Sequence, residues 1–255
     1  MSACLRYITG IPHTVQEADY NRAPKNKVPF IEHDGKLIGD SQLIIRYLEN
    51  TFNVSYMSGL VGEGKQSFVP YSKLSATDKA QSEFIRILCE AELYWAILST
   101  RWAGKEGLCR TETAWQNTVS SYFDAIPSFL RGAITAMIRV DTLRDAWGQG
   151  FSRHSPDDQL YLAKRYVMAL STALGSNTYM LGSFPTECDC SAFGTLDCLL
   201  DDSKWPNDLT DFLKKECPNL VRYHSAIRHS VFADFQPELK LPAGVSEVKA
   251  FPNQR

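Results

Sequence analysis

The chain has 255 residues, of which 44% are hydrophobic and 22% charged, and its formal net charge is −2. This length allows one or two domains with a packed core, and the absence of a basic block argues against nucleic acid as a partner. No apolar run is long enough to span a bilayer as a helix, and the N-terminus lacks the apolar core of a signal peptide. The seven cysteines are irregularly spaced, which fits reduced thiols in the cytosol better than a disulfide framework.

The first 22 residues show little regular pattern. A turn at residues 10–13, Gly-Ile-Pro-His, is followed by one weak strand signal around residues 14–18. We therefore expect a short strand here and no complete structural unit.

The next stretch carries a strong hairpin signal. Asp34 and Gly35 lie between two short apolar stretches at 30–32 and 36–38, and both central residues of such a tight turn need positive φ. Pro29 stands at the start of the first strand, where a missing N–H costs least.

A helix is predicted to begin directly after the hairpin, at Asp40 and Ser41. Its apolar side carries Leu43, Ile44, Tyr47 and Leu48. The first N–H groups of a helix lack internal partners, so this end can bind an anion. With the Asp40 carboxylate and the Ser41 hydroxyl, it could hold an α-amino acid head group. The alternative is a capped surface helix, since Asp and Ser are ordinary caps.

A linker rich in Gly and Ser is predicted before a set of helices. Ser75 to Asp78 forms a pattern like a capping box and starts the first of them. Apolar residues at alternating steps of four and three predict one stripe that faces a core or a partner helix. The stripe consists of Phe84, Leu88, Ala91, Trp95, Leu98 and Trp102. Later helices are predicted over 111–123, 128–147, 156–174 and 209–215, and from Asn219.

The remaining motifs point to structural roles. Thr186 and Asp189 have the spacing of an N-terminal capping box, a folding element. Cys188 and Cys190, two positions apart on a helix, point about 200° apart and cannot share one metal ion, so we expect no metal site. Residues 236–255 contain three prolines and few apolar residues and are predicted to be a loose tail.

The run Lys-Val-Pro-Phe-Ile at 27–31, followed by Asp-Gly, Asp-Ser and Tyr-Leu, resembles the second half of a glutathione transferase thioredoxin-like domain. Ala-Pro-Lys at 23–25, a Glu…Tyr-Trp…Arg-Trp pattern within 90–102 and Gly-Phe-Ser-Arg-His-Ser at 150–155 are most similar to the failed-axon-connections (fax) and metaxin-like branch. The resemblance covers nearly the whole chain.

The resemblance implies a fold in two parts. An α/β thioredoxin-like domain is expected over 1–56 and a linker over 57–73. An all-α domain like the C-terminal domain of glutathione transferases is expected over 74–235, and the tail over 236–255. The first strand and most of the first helix of the thioredoxin-like domain have no counterpart here. That strand is normally interior to the sheet, so its loss would expose strand edges.

The resemblance also implies a glutathione site formed by Val28, Pro29, Asp40 and Ser41. A cis Val28–Pro29 bond, uncommon even before proline, would leave the Val28 N–H and C=O free to pair with an extended peptide ligand.

The residue that activates the glutathione thiol is a Tyr, Ser or Cys just after the first strand in this fold. Ser2 and Cys4 are the candidates near that place, and Tyr7 is a third candidate, ranked below both. A hydroxyl would stabilise the thiolate, whereas Cys4 would form a mixed disulfide.

In the helical half, Trp95, Arg101 and Trp102 are candidates for the wall of a second-substrate pocket. A buried ion pair between a glutamate at 90 or 92 and Arg101 is the alternative. Arg153 and His154 are expected to hold loop carbonyls and acidic groups.

The resulting hypothesis is a cytoplasmic glutathione transferase-like protein that binds glutathione and could conjugate it to a small hydrophobic electrophile. No metal is expected, and a homodimer is one possible assembly. Whether the protein is an enzyme stays open, because the activating residue is unassigned. The alternative is a non-catalytic fax- or metaxin-like scaffold, which implies a role in axon development or a peripheral location at the mitochondrial outer membrane.

Overall fold

The computed structural model describes residues 13–16, 19, 22–24, 27–52, 68–104, 107–109, 111, 113–124, 126–201, 203–232 and 248–251. These residues form two compact units. The first holds the described residues up to Ser82, Asn177–Cys190 and those from Ser225, and the second holds those within Glu83–Ser176 and Ser191–His224. The units interleave along the chain and do not test the domain bounds given above, which stay a prediction.

The first unit contains a four-stranded sheet in the order β1-β4-β2-β3. The strands are β1 His13–Val15, β2 Phe30–His33, β3 Lys36–Gly39 and β4 Val248–Phe251. Strand β4 runs parallel to β1 and antiparallel to β2, and β2 and β3 form an antiparallel hairpin. The hairpin lies where the sequence predicts it, and Asp34 and Gly35 have φ values of 49° and 74°.

The prediction of a loose tail over 236–255 is wrong for Val248–Phe251, which lies between β1 and β2 in the sheet. Backbone N–H and C=O groups facing an unfilled strand position would lack partners. Residues 248–251 supply these hydrogen-bond partners. They lie far from β1 and β2 in sequence, so no local sequence pattern reveals the pairing.

Helices account for most of the remaining described residues. In chain order they are α1 Ser41–Phe52, α2 Ala76–Ile87, a π-helical segment Leu88–Leu93, α3 Tyr94–Trp102, α4 Ala114–Tyr122, α5 Ser128–Gln149, α6 Pro156–Leu174, α7 Glu187–Leu200, α8 Asp208–Glu216 and α9 Pro218–Phe232, with 3-10 turns at Tyr71–Lys73 and Phe151–Arg153. None of the described helices is long and apolar enough to cross a bilayer.

Helix α1 packs on the hairpin through one apolar cluster. Ile31 from β2 is buried against Ile44 and Leu48, and Tyr47 lies partly buried at its edge. Leu43, predicted on this side, is instead 49% exposed, and Ile45 is buried. The buried face of α1 therefore differs from the predicted one by part of a helical turn. The prediction could not separate them because two neighbouring faces of α1 are apolar.

The stripe predicted along residues 84–102 is wrong in its first half. Phe84 is 73% exposed, whereas Ile85, Cys89 and Leu93 are buried. This segment is apolar on adjoining faces, so spacing alone does not show which face is internal. The wide turn of the π-helical segment then shifts the helical phase before α3 begins.

The second unit is held by leucines and by a buried polar contact. Leu170 and Leu174 of α6, Leu196 of α7 and Leu209 of α8 are buried. The Ser99 hydroxyl donates to Gln159 Oε1 at 2.6 Å. Buried polar groups need such partners, so this contact fixes the approach of α3 and α6.

The motif at the start of α7 folds as a buried carboxylate cap. Asp189 is fully buried. Its Oδ2 accepts hydrogen bonds from the Thr186 N–H and hydroxyl at 2.8 and 2.9 Å, and its Oδ1 accepts from the Met180 N–H at 2.8 Å. In a reciprocal capping box the Thr side chain would accept from the N–H three residues on, whereas here the Thr186 hydroxyl donates to the Asp189 carboxylate.

We predict that Asp189→Ala lowers the free energy of unfolding by about 3 kcal/mol or more, because it leaves buried donors without an acceptor. Urea titration of parent and variant measures the change. Asp208→Ala, which removes an exposed acidic residue from the first turn of α8, is the control and should cost less than about 1 kcal/mol. Equal losses in the two variants would contradict the assignment.

Glu49 of α1 should make stability depend on pH. Its Oε1 is buried without a partner among the described atoms. Burial raises the pKa of its carboxyl, partly opposed by a hydrogen bond from the Tyr71 backbone. The folded state then holds this proton to higher pH than the unfolded state, so the stabilisation present at low pH is lost as pH rises through the raised pKa.

We therefore predict that Glu49→Gln is more stable than the parent at pH 7 and equal to it near pH 4, by urea titration at both values. Glu216→Gln, at an exposed position, should show no such gain. A Glu49→Gln variant less stable than the parent at pH 7 would contradict this prediction.

Candidate functional site

Asp40 joins the start of the hairpin to the start of α1. Its backbone N–H donates to the Pro29 carbonyl at 3.2 Å, and its own carbonyl accepts from Ile44 at 2.9 Å. Its side-chain Oδ1 accepts from the N–H groups of Gln42 and Leu43 at 2.9 and 3.4 Å. Residues 11 positions apart in sequence thus meet at one end of the helix.

The Asp40 backbone conformation explains why this residue type suits the position. Its φ is 74°, in the left-handed region that Asp and Asn visit more readily than most residues. The side chain at the same time caps two of the helix N–H groups that have no internal partner. One residue therefore makes the turn and caps the helix.

The groups left over at this end are suited to a zwitterion. Within the described part of the chain, neither the N–H nor the hydroxyl of Ser41 makes a hydrogen bond. Asp40 is exposed, and only its Oδ1 takes part in the capping bonds. Two donors beside the positive end of a helix suit a carboxylate, and a carboxylate oxygen beside them suits an ammonium group.

The Val28–Pro29 peptide bond is cis. Val28 lies two positions before the first residue of β2, and no described residue makes a backbone hydrogen bond to it. The structure thus brings together Pro29, Asp40 and Ser41, three of the four residues expected to bind glutathione, with Val28 next in the chain. Their binding role itself stays a prediction.

The candidate thiol-activating residues, Ser2, Cys4 and Tyr7, lie outside the described residues. Two described cysteines are poor nucleophiles: burial raises the pKa of the Cys89 thiol to about 12, and burial also raises the pKa of the Cys217 thiol. A thiol must ionise to attack. No group of three His, Cys, Asp or Glu side chains within the described ranges is arranged to hold a metal ion.

Arg101 is held in the second unit by two hydrogen bonds and by contact with an aromatic ring. Its guanidinium donates to the Tyr122 hydroxyl and to the Cys198 carbonyl, and it lies 4.7 Å from the centre of the Trp205 ring. The expected ion pair with a glutamate is therefore wrong. Glu90 accepts instead from Arg86 and Ser191.

The two tryptophans of the candidate pocket wall make aromatic contacts. Trp102 packs on Trp115 and Phe123, with ring centres 5.5 and 6.0 Å away. Trp95 meets Tyr94 edge to face at 5.1 Å. The role of Trp95, Arg101 and Trp102 in binding a second substrate stays a prediction.

A cavity of about 350 Å³ in the second unit is lined by another set of residues, most of which the sequence analysis did not single out. Its polar lining includes Glu92 and Tyr166, and burial, then the nearby Glu92 carboxylate, raises the pKa of the Tyr166 hydroxyl. Arg153 and His154 also line the cavity and are both exposed. Arg153 donates to the Trp147 carbonyl at 2.8 Å, as expected. The prominence of Arg153 and His154 in the sequence was the one signal of this region.

We predict that Asp40→Ala lowers the free energy of unfolding by about 1–3 kcal/mol, because it removes the cap and places alanine at positive φ. Asp40→Asn should stay within about 0.5 kcal/mol of the parent, since its amide oxygen can accept the same two bonds and Asn tolerates this conformation. Urea titration compares the two. A loss in Asp40→Asn as large as in Asp40→Ala would show that the charge, not the cap, stabilises this end.

Comparison with known proteins bears on both units. A family model described as the glutathione S-transferase N-terminal domain matches residues 3–107, and one described as the glutathione S-transferase C-terminal domain matches residues 163–227. The β-etherase LigF from Sphingobium sp. strain SYK-6 has a similar fold, with a TM-score of 0.50, 19% identity, and coverage of 80% of this chain and 75% of that one.

Three relatives extend the match. Isoprene-epoxide–glutathione S-transferase from Rhodococcus sp. is 30% identical over 81% of this chain and 78% of its own length. Failed axon connections from Drosophila melanogaster is 26% identical over 84% of this chain, which spans only 49% of that protein. The metaxin-1 homolog from Caenorhabditis briggsae is 26% identical over 93% of this chain and 69% of its own length. The chain therefore belongs to the glutathione S-transferase family, in a branch whose members include Failed axon connections and metaxins.

Proposed function

We propose that this protein binds glutathione at the start of α1. The observation that carries the proposal is the contact that joins Pro29 to Asp40, because it brings Val28–Pro29 beside the exposed Asp40 carboxylate and the donors of Ser41, which have no partner among the described residues. The glutathione γ-glutamyl group is an α-amino acid with one carboxylate and one ammonium. Ser41 would bind its carboxylate and Asp40 its ammonium, while the Val28 backbone would pair with the extended tripeptide.

Binding is the first step of a conjugation that we also propose. The glutathione thiolate attacks an electrophilic carbon, a C–S bond forms, and the bond from that carbon to its leaving oxygen or halide breaks with the electron pair. An opened epoxide then takes up a proton. The name of the Rhodococcus relative makes a small epoxide the first electrophile to test. The Ser2 hydroxyl would stabilise the thiolate for this step, whereas Cys4 would instead form a mixed disulfide with glutathione. A cytoplasmic location would supply the reduced glutathione.

A non-catalytic role is the second candidate. The Asp40 carboxylate already serves as a helix cap, a structural task that can be retained without any ligand. The likeness to Failed axon connections and to the metaxin-1 homolog extends over more than four-fifths of the chain. In this alternative the protein acts as a scaffold, in axon development or at the mitochondrial outer membrane.

We predict that the purified protein binds glutathione in calorimetric titration and that Asp40→Asn weakens the affinity about tenfold. The substitution keeps the cap and removes the charge, and a charge-assisted hydrogen bond contributes about 1.5–3 kcal/mol. Ser41→Ala should weaken binding about fivefold or more. Asp34→Asn is the matched control, because Asp34 is also exposed and also has positive φ.

No heat of binding from the parent at millimolar glutathione would refute the binding proposal, and so would equal affinities of parent, Asp40→Asn and Ser41→Ala. Conjugation is measured separately, by the rate of loss of a small epoxide in the presence of glutathione. A binding protein with no rate above the uncatalysed one would refute conjugation and favour the scaffold.

A further inference from the structure

Strand β4 joins two parts of the sheet that do not pair with one another. It is the neighbour of β1 on one side and of β2 on the other. His13, Thr14 and Val15 are the Cα partners of Val248, Lys249 and Ala250. The same strand is paired with the hairpin, so two hydrogen-bond ladders depend on four residues.

The second ladder reaches the proposed glutathione site. Phe30 is the Cα partner of Phe251, and Ile31 and Glu32 are the partners of Ala250 and Lys249. Phe30 comes directly after Pro29, whose carbonyl accepts from Asp40. The end of β4 is thus one ladder step and one peptide from the contact that forms the site.

Residues 248–251 have the properties of a strand that pairs with segments far away in sequence. Val15 and Val248 are 233 positions apart, and the entropy of closing such a loop grows only slowly with its length. Val and Phe favour extended backbone. Pro252 follows the strand in sequence and lacks the N–H that would continue a ladder.

We propose that the space between β1 and β2 is a binding slot for an extended peptide segment, and that residues 248–251 of the same chain are its occupant. The bound segment runs parallel to β1 and antiparallel to β2, and it fixes Phe30 and therefore the position of Val28–Pro29. The slot and its occupant concern the sheet alone. The positioning of Val28–Pro29 rests on the proposed function, because it makes this strand a positioning element for glutathione.

The test uses the full chain with Ala250→Pro, and Ala250→Ser as the matched control. Proline removes the N–H of an internal strand residue, whereas serine keeps the N–H and nearly the size. Hydrogen–deuterium exchange should be at least tenfold faster in Ala250→Pro for amides of residues 13–15 and 30–32. Ala250→Ser should match the parent, and amides of α6 should stay protected in both, which shows that the second unit remains folded.

Unchanged exchange at residues 30–32 in Ala250→Pro would overturn the slot. A second measurement identifies the occupant. Glu32→Cys combined with Lys249→Cys should form a disulfide within one chain under mild oxidation at low protein concentration, detected by the mass of the joined peptides. The pair Lys36→Cys and Lys249→Cys, which are not ladder partners, should not form it. If the two cysteines introduced at the ladder positions were joined only between separate chains, the assignment to the same chain would be overturned.

Glutathione binding tests the positioning role of β4 separately from the slot. If the strand positions the site, Ala250→Pro weakens glutathione affinity at least tenfold while Ala250→Ser does not. Faster exchange with unchanged affinity would overturn the positioning role and support the slot. Faster exchange in a protein that binds no glutathione at all would support the slot and refute the proposed function.

Discussion

The hydrogen bond from the Asp40 N–H to the Pro29 carbonyl is the contact on which the first unit depends. It closes the hairpin against α1, and it is made by a residue whose positive φ turns the chain and whose side chain caps the helix. Backbone groups at a helix start must find partners, and here one residue meets that need while leaving Ser41 uncommitted. The proposed binding site and the helix cap therefore share the same few atoms.

The shared use of these atoms explains why structure and function are hard to separate at this site. A truncation of Asp40 removes a cap, a turn-former and a charge together, so a loss of binding would not distinguish them. The amide variant divides them because the oxygen that caps is kept and the charge is not. Membership in the glutathione S-transferase family favours glutathione as the ligand, and the family also includes relatives whose names describe no conjugation.

Local patterns predicted the parts of this fold that local forces decide. The hairpin followed from Asp34-Gly35, and the buried cap of α7 from the spacing of Thr186 and Asp189. The sequence did not reveal β4, because its partners lie more than 200 positions away. The sequence pattern also placed Phe84 on the internal stripe, although it is exposed. Adjoining apolar faces of a helix give the same hydrophobic period, so the period does not show which face is internal. At the site, residue types suggested Asp40 and Ser41 both as a ligand-binding pair and as helix caps, and the structure shows that Asp40 caps α1.

The raised pKa of Cys89 has a consequence for chemical durability. Burial raises the pKa of this thiol to about 12, so it stays protonated at neutral pH. Alkylating agents react with the thiolate, so the buried Cys89 thiol should resist them. Among the described cysteines, Cys198 is the exposed one, so an alkylating agent would reach it before Cys89.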